Sequence, residues 1–343
     1  MSEKKLGCLL MNIGTPDEPT IPSIRKFLKE FLSDPDVIDY NPIIRWLTVN
    51  FIVAPFRPKS IIHQYQSIWT DEGSPLLINS TLFANKLSPI LPSIQFEIGM
   101  RYGNPSIAGA INKFKKQGIK KIILIPMFPQ YAKATCGSCI DEAKRILKSE
   151  IPDAEFIVIT NFYSEDFYIN SMYESISDSE IYKNSEYLLF SFHGIPERQI
   201  RKMDDSGSYC LEKNDCCETM NEYNQMCYKA HCIQTVSKII EKLNPNIPYS
   251  ICFQSRFGID KWVQPNIVDV IEDLSKKGIK KVSVSCPSFV ADCLETLEEV
   301  SIRNNKVFTE ELNGEYLKLI PSLNDNDDWI VGFSKYIKSQ VSV

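Results

Sequence analysis

The 343-residue chain holds only 3 histidines and 4 tryptophans, and it has no excess of positive charge. With 38 Lys and Arg against 43 Asp and Glu, its formal charge is -5. No basic stripe is available to neutralise phosphates, which excludes nucleic acid as a main partner. Also missing is any apolar run near the ~20 residues a membrane span needs. The longest, 43–56, is broken by Arg45, Thr48, Asn50 and Pro55. Met-Ser-Glu-Lys-Lys runs straight into a strand-like segment, with no apolar secretory core behind it. These absences predict a cytoplasmic protein, where 11 cysteines are expected as metal ligands or free thiols, not disulfides. At this length two domains are expected.

What is present is a repeat. Lys116-Gln-Gly-Ile-Lys-Lys-Ile-Ile-Leu-Ile-Pro126 resembles Lys276-Lys-Gly-Ile-Lys-Lys-Val-Ser-Val-Ser-Cys-Pro287, each a Gly-terminated helix feeding a strand that ends at proline. Upstream, Arg101-Tyr-Gly103 pairs with Arg256-Phe-Gly258. Further upstream, Leu9-Leu-Met-Asn-Ile-Gly-Thr-Pro16 pairs with Leu188-Leu-Phe-Ser-Phe-His-Gly-Ile-Pro196, less one residue. Alternating strands and helices imply parallel sheets with right-handed crossovers. The sequence therefore predicts an α/β chain of two similar Rossmann-like domains, 1–165 and 166–343, facing one another across a cleft. An apolar, Pro-rich excursion at about 17–91 reads as a lid or lip.

His193 falls where an apolar strand, Tyr187-Leu-Leu-Phe-Ser-Phe-His, breaks at Gly194 and Pro196. The carboxyl end of a parallel strand is where such sheets bind ligands, and an imidazole there exchanges protons near neutral pH. Position alone equally fits a core histidine bonded to a backbone carbonyl. The first repeat has Ile13 at this place, so one half presents an apolar side chain and the other a base. After Pro287 comes Asp292-Cys-Leu-Glu295-Thr-Leu-Glu298-Glu299. Asp292 and Glu295 have capping-box spacing, which would leave Glu298 and Glu299 solvated. The opposing reading is a graded set of carboxylates for proton or hard-cation traffic. A further concentration is five cysteines between 210 and 232 (Cys210, Cys216, Cys217, Cys227, Cys232), and Cys136-Gly-Ser-Cys139 also has chelate spacing.

These residues together resemble the ferrochelatase family, which inserts Fe2+ into a porphyrin. The matches run from Leu9-Leu-Met-Asn-Ile-Gly-Thr-Pro16 through Glu30-Phe-Leu-Ser-Asp-Pro35, Gly73-Ser-Pro-Leu76, Met100-Arg-Tyr-Gly-Asn-Pro105, Pro129-Gln-Tyr131, Ser191-Phe-His-Gly-Ile-Pro196 and Asp292-Cys-Leu-Glu-Thr-Leu297 to Pro321-Ser-Leu-Asn324. The resemblance implies two Rossmann-like halves with a porphyrin cleft. It also implies His193 and Glu295 as the catalytic residues and as the Fe2+ site. Glu299, with neighbouring Glu298, falls on a proton or metal path, although the next acid of that path in some relatives is Arg303 here. Cys293 stands where other members have histidine. Ile13, Tyr131 and Trp262 match porphyrin-contacting positions, and Arg101 a cation near the propionates. Cys232-Ile-Gln-Thr235 matches members that need no extra metal. The resemblance thus makes 208–231 an insertion whose own thiols, Cys210, Cys216, Cys217 and Cys227, bind a [2Fe–2S] cluster or zinc. Adjacent Cys216 and Cys217 fit the two-iron cluster better. Cys136 and Cys139 are read as packing or capping, with a ligand role in reserve.

The expected partners are porphyrin and ferrous iron, with peripheral contact to a membrane or to the preceding haem-pathway enzyme through 43–56. Ordinary lid packing is the other reading of that stretch. Protoporphyrin IX is the expected substrate, with coproporphyrin or sirohydrochlorin as alternatives. An iron–sulfur sensor on a chelatase scaffold is the non-enzymatic one.

Overall fold

The computed structural model describes residues 6–213, 215–256, 258 and 260–341. The chain forms two compact units. The first takes the residues up to Phe128, Ala132–Asn161 and those from Asn324 onward; the second takes Pro129–Tyr131 and Phe162–Leu323.

The first unit is built on β1 (Leu6–Thr15), β2 (Ile94–Gly103), β3 (Lys121–Pro126) and β4 (Glu155–Val158), in the order β2-β1-β3-β4. The second is built on β5 (Tyr187–His193), β6 (Tyr249–Gln254), β7 (Lys281–Ser285) and β8 (Tyr316–Leu319), in the order β6-β5-β7-β8. Every pairing is parallel, and the two orders are the same. The fold is α/β with two parallel sheets, as the repeat predicts.

The repeat extends to detail. In the first unit the helix Ile107–Lys116 buries Ile107, Ala110, Ile111 and Phe114, one stripe at helical spacing. Ser106 caps it by accepting the Gly109 amide at 3.1 Å. Its counterpart Ile267–Lys276 buries Ile267, Ile271 and Leu274, and Asn266 caps it by accepting the Val268 amide at 2.9 Å. Both helices end at a glycine in the left-handed region, Gly118 (φ 67°) and Gly278 (φ 81°), where a Cβ would be strained. Upstream, the amides of Met100 and Phe253 donate to the carbonyls of Pro105 and Pro265 at 2.7 and 2.8 Å. Phe257, the middle residue of the second Arg-aromatic-Gly station, lies outside the described residues.

Two segments join a different unit from the one their sequence position implied. Pro129–Tyr131 belongs to the second unit, and the helix Asp327–Val341 to the first. The helix is claimed by aromatic packing: Trp329 and Phe333 lie with ring centroids 5.6 and 5.2 Å from Phe83. Lys86 adds ion pairs with Asp325 and Asp327, each at 2.9 Å. Helical amphipathicity names a buried face but not its partner, so the sequence alone did not place it. In the excursion between β1 and β2, the helix Pro42–Leu47 and the π-helical turn Thr48–Val53 leave a greasy surface in water. Ile43, Phe51, Ile52 and Phe56 are each at least 60 % exposed, with Trp46 beside them at 58 %.

A buried polar cluster organises the first unit. Asp34 Oδ2 accepts hydrogen bonds from Arg101 Nη2 at 2.5 Å, Ser138 Oγ at 2.7 Å and the Tyr102 hydroxyl at 2.8 Å. Burial raises the Asp34 carboxyl, but the bonds from Ser138, the Asp36 amide and Tyr102, with the Arg101 charge, outweigh it and hold it below the usual value. Its folded pKa being depressed, this stabilisation is present above the unfolded carboxylate value of ~3.9 and is lost as pH falls through the folded one. Asp34→Asn is expected to cost about 1–3 kcal/mol at neutral pH, because half-buried Arg101 loses its charged partner. Urea unfolding at pH 7 and pH 3 checks this: the gap between variant and parent should narrow at the lower pH.

Candidate active site

In the second sheet the strand order reverses between β5 and β7, the position where open α/β sheets bind ligands outside the carboxyl ends of their strands. His193 is the last residue of β5. Its amide donates to Ser288 Oγ in the loop after β7 at 3.3 Å. Its Nδ1 lies 2.6 Å from the Gly194 carbonyl oxygen. A carbonyl only accepts, so Nδ1 carries the proton, and in the neutral ring Nε2 keeps its lone pair. The backbone-bonded reading of His193 is thus realised, and Nε2 is the acceptor nitrogen of that tautomer. Gly194 has to be glycine: a Cβ would stand 2.9 Å from the Gln254 carbonyl oxygen and 3.2 Å from the Trp262 ring.

Gln254, at the end of β6, ties the site together. It pairs with His193 in the sheet, and its carbonyl accepts the Gly194 amide at 2.7 Å. Its buried side chain accepts from Ser191 Oγ at 2.6 Å and donates from Nε2 to the Glu295 carbonyl at 2.8 Å. One amide thus links the histidine strand to the first turn of the carboxylate helix. The next residue, Ser255, adopts φ 67°, and its amide donates to Glu299 Oε1 at 2.9 Å while its hydroxyl donates to Oε2. Neither Gln254 nor Ser255 was singled out from sequence. The available signal was a glutamine closing the buried strand of the second repeat.

The acids lie on a π-helix, Glu295–Asn304, not on the ordinary α-helix the spacing predicts. At its start Thr296 Oγ1 accepts the Cys293 amide at 3.0 Å and donates to Asp292 Oδ1 at 3.0 Å. Glu298 and Glu299 are buried, which overturns the solvated reading. Arg303 Nη2 lies 3.1 Å from Glu298 and 3.8 Å from Glu299. The first pair is five residues apart, the spacing a π turn superimposes. Burial pushes the Glu298 carboxyl up, with Arg303 working against it. Glu295 is half-buried, and its carboxylate lies against the buried Cys293 thiol.

Trp262 bridges to Pro196 and flanks the Gly194–Pro196 turn beside His193. Tyr131 is buried, its amide donating to His231 Nδ1 at 3.2 Å. Ile13 is half-buried near the end of β1 in the first unit. Arg101, in the same unit, is committed to Asp34 and Ser138, a structural pairing the motif gave no sign of.

Cys210, Cys216, Cys217 and Cys227 are all buried. Cys216 Sγ and Cys217 Sγ are 3.5 Å apart, and the thiols of both Cys217 and Cys210 lie against Cys227. Cys227 immediately precedes the helix Tyr228–Leu243, and the Cys217 thiol and the amides of Ala230 and Lys229 lower it to about 6. The Leu211 amide donates to Cys216 Sγ at 3.3 Å. Asp204 accepts the Tyr209 and Cys210 amides, each at 2.8 Å, and Asn224 donates to the Cys216 and Thr219 carbonyls at 2.8 Å. Asn214 lies outside the described residues. Four buried thiols gathered in one loop, with amides aimed at the sulfurs of Cys216 and Cys227, are a donor set that suits an iron–sulfur cluster. Among the described residues no group of three or more His, Cys, Asp or Glu is arranged as a single-ion site. Cys136 and Cys139 are buried in the first unit, Cys139 within its apolar core.

The chain matches the ferrochelatase family model over residues 5–341. It is 42% identical over 346 residues to a ferrochelatase of Coxiella burnetii (strain RSA 493 / Nine Mile phase I), covering 100% of this chain and 96% of that protein. It is 39% identical over 323 residues to one of Pseudomonas savastanoi pv. phaseolicola, covering 94% of each. Two solved structures share the fold. SirB from Bacillus subtilis with Fe3+ has TM-score 0.54 at 11% identity, over 98% of this chain and 96% of that one. The sirohydrochlorin chelatase SirB of B. subtilis subspecies spizizenii, in complex with cobalt, has TM-score 0.55 at 9% identity, over 98% and 95%. The chain belongs to the ferrochelatase family and is an enzyme of the lyase class.

Proposed function

We propose that this chain inserts Fe2+ into protoporphyrin IX to give haem, with release of two protons. The observation that carries the reading is the fixed tautomer of His193, whose Nδ1–H is spent on the Gly194 carbonyl and whose Nε2 is left to accept a pyrrole proton. Such general base catalysis is worth ~10²–10⁴ in rate. Glu295 is held in register with that base by Gln254 and takes the ferrous ion or relays protons. Glu298 and Glu299 extend the carboxylate path, and their pairing with Arg303 ends it there. Trp262, beside the His193 turn, is the aromatic best placed to touch the ring. Tyr131 and Ile13 are further contacts. Arg101 is the weakest, since its guanidinium already serves Asp34.

Cys210, Cys216, Cys217 and Cys227 would hold a [2Fe–2S] cluster. When bound, the cluster supplies a one-electron centre and a cross-link for the loop. Metal insertion into a porphyrin involves no electron transfer, so no step of that reaction needs it. The exposed apolar surface of 43–56 supports peripheral contact with a bilayer or with the enzyme that delivers the porphyrin, over lid packing.

Anaerobic ferrous insertion with protoporphyrin IX, coproporphyrin and sirohydrochlorin, followed by absorption, tests the assignment. Protoporphyrin should turn over fastest, and His193→Ala should lose at least 10²-fold in kcat. Faster turnover of another tetrapyrrole would replace the substrate, and a fully active His193→Ala would remove the base. Purified protein should carry iron and visible absorbance, and Cys216→Ser should lose both; retention of both would break the ligand set. Vesicle sedimentation checks the surface: Trp46→Ser with Phe51→Ser should abolish co-sedimentation of a protein that otherwise binds.

A further inference from the structure

One helical turn separates the cysteine loop from the histidine. The helix Tyr228–Leu243 begins directly after Cys227, a proposed cluster ligand. The buried Tyr228 hydroxyl donates to the His193 carbonyl oxygen at 2.8 Å, and the Cys232 thiol lies against the same side chain. One turn on, His231 is fully buried. Its Nε2–H donates to the Gln225 carbonyl of the cysteine loop at 2.7 Å, and its Nδ1 accepts the Tyr131 amide at 3.2 Å. Its ring stacks on Tyr163, with centroids 3.9 Å apart and planes within 11°. Three consecutive contacts of one turn therefore run from the loop to the histidine and to Tyr131.

We propose that Tyr228 is a positioning residue for His193, and that through it the state of the four-cysteine loop sets the placement of the base. The proposal rests on the cluster reading above. A helix start is stiff, so displacing Cys227 moves Tyr228 with it. The Tyr228 hydroxyl then leaves the carbonyl that fixes the end of β5, and reacting groups pay steeply for small misplacements. His231 carries the same displacement toward Tyr131.

The experiment uses the full chain with its iron in place. Tyr228→Phe keeps the ring and removes only the donor. It should retain the visible absorbance and iron content of the parent, lower kcat about 3- to 10-fold, and leave both KM values nearly unchanged. Stripping the cluster with a chelator, or introducing Cys227→Ser, should lower kcat in the parent but add little further loss in Tyr228→Phe. Metal-free protoporphyrin seated against His193 should also shift the electron paramagnetic resonance signal of the dithionite-reduced parent and leave that of Tyr228→Phe unchanged, because the same contact joins the two. An unaltered kcat in Tyr228→Phe overturns the positioning role. Equal fractional losses on stripping, in parent and variant alike, overturn the coupling while the cluster reading stands. Parent protein without iron or visible absorbance overturns the cluster reading and the coupling together.

Discussion

The Gln254 side chain has its carbonyl oxygen on Ser191 of the histidine strand and its amide nitrogen on the main chain of Glu295. Because the group is buried, leaving either end unpaired would cost about 1–3 kcal/mol, so β5, β6 and the π-helix have to hold one mutual arrangement. Ser255 extends the constraint to Glu299 with two further hydrogen bonds. The proposed catalytic pair, His193 and Glu295, is thereby set by a neutral hub instead of by attraction between the two groups. Histidine and glutamate can each change charge during a reaction without altering what holds them apart.

The two duplicated halves are alike in plan and differ at particular positions. Both sheets have one strand order, and both second helices are capped, striped and glycine-terminated in the same way. The halves differ in what the strand ends present. Near the end of β1 the Ile13 amide donates to Asn12 Oδ1, while His193 closes β5 and its Nδ1 donates to the Gly194 carbonyl. Added to the second half is the loop leading to Cys227, organised by Asp204 and Asn224 through backbone bonds before any ligand is considered.

How much of this was legible depended on range. The repeat, the parallel sheets and the placement of His193 at a strand end follow from local patterns of apolar residues, glycine and proline, which act over a few residues. The bonds that decide the site span more: Arg101 reaches Asp34 across 67 positions, and Gln254 reaches Glu295 across 41. No local pattern signals such partners. The π geometry of Glu295–Asn304 was hidden for a related reason, since the spacing of its acids reads as an ordinary capped helix. Aromatic packing on Phe83 likewise decided where the last helix went.

All eleven cysteines are buried, from Cys8 in the first strand to Cys293 before the π-helix. Burial raises most of them, in the case of Cys252 to about 12, so they are dull nucleophiles while the chain stays closed. A water-borne alkylating reagent can mark such a sulfur only when the segment around it opens. The protein thus carries reporters at many depths, and the order in which they become modified would draw a map of how the molecule comes apart.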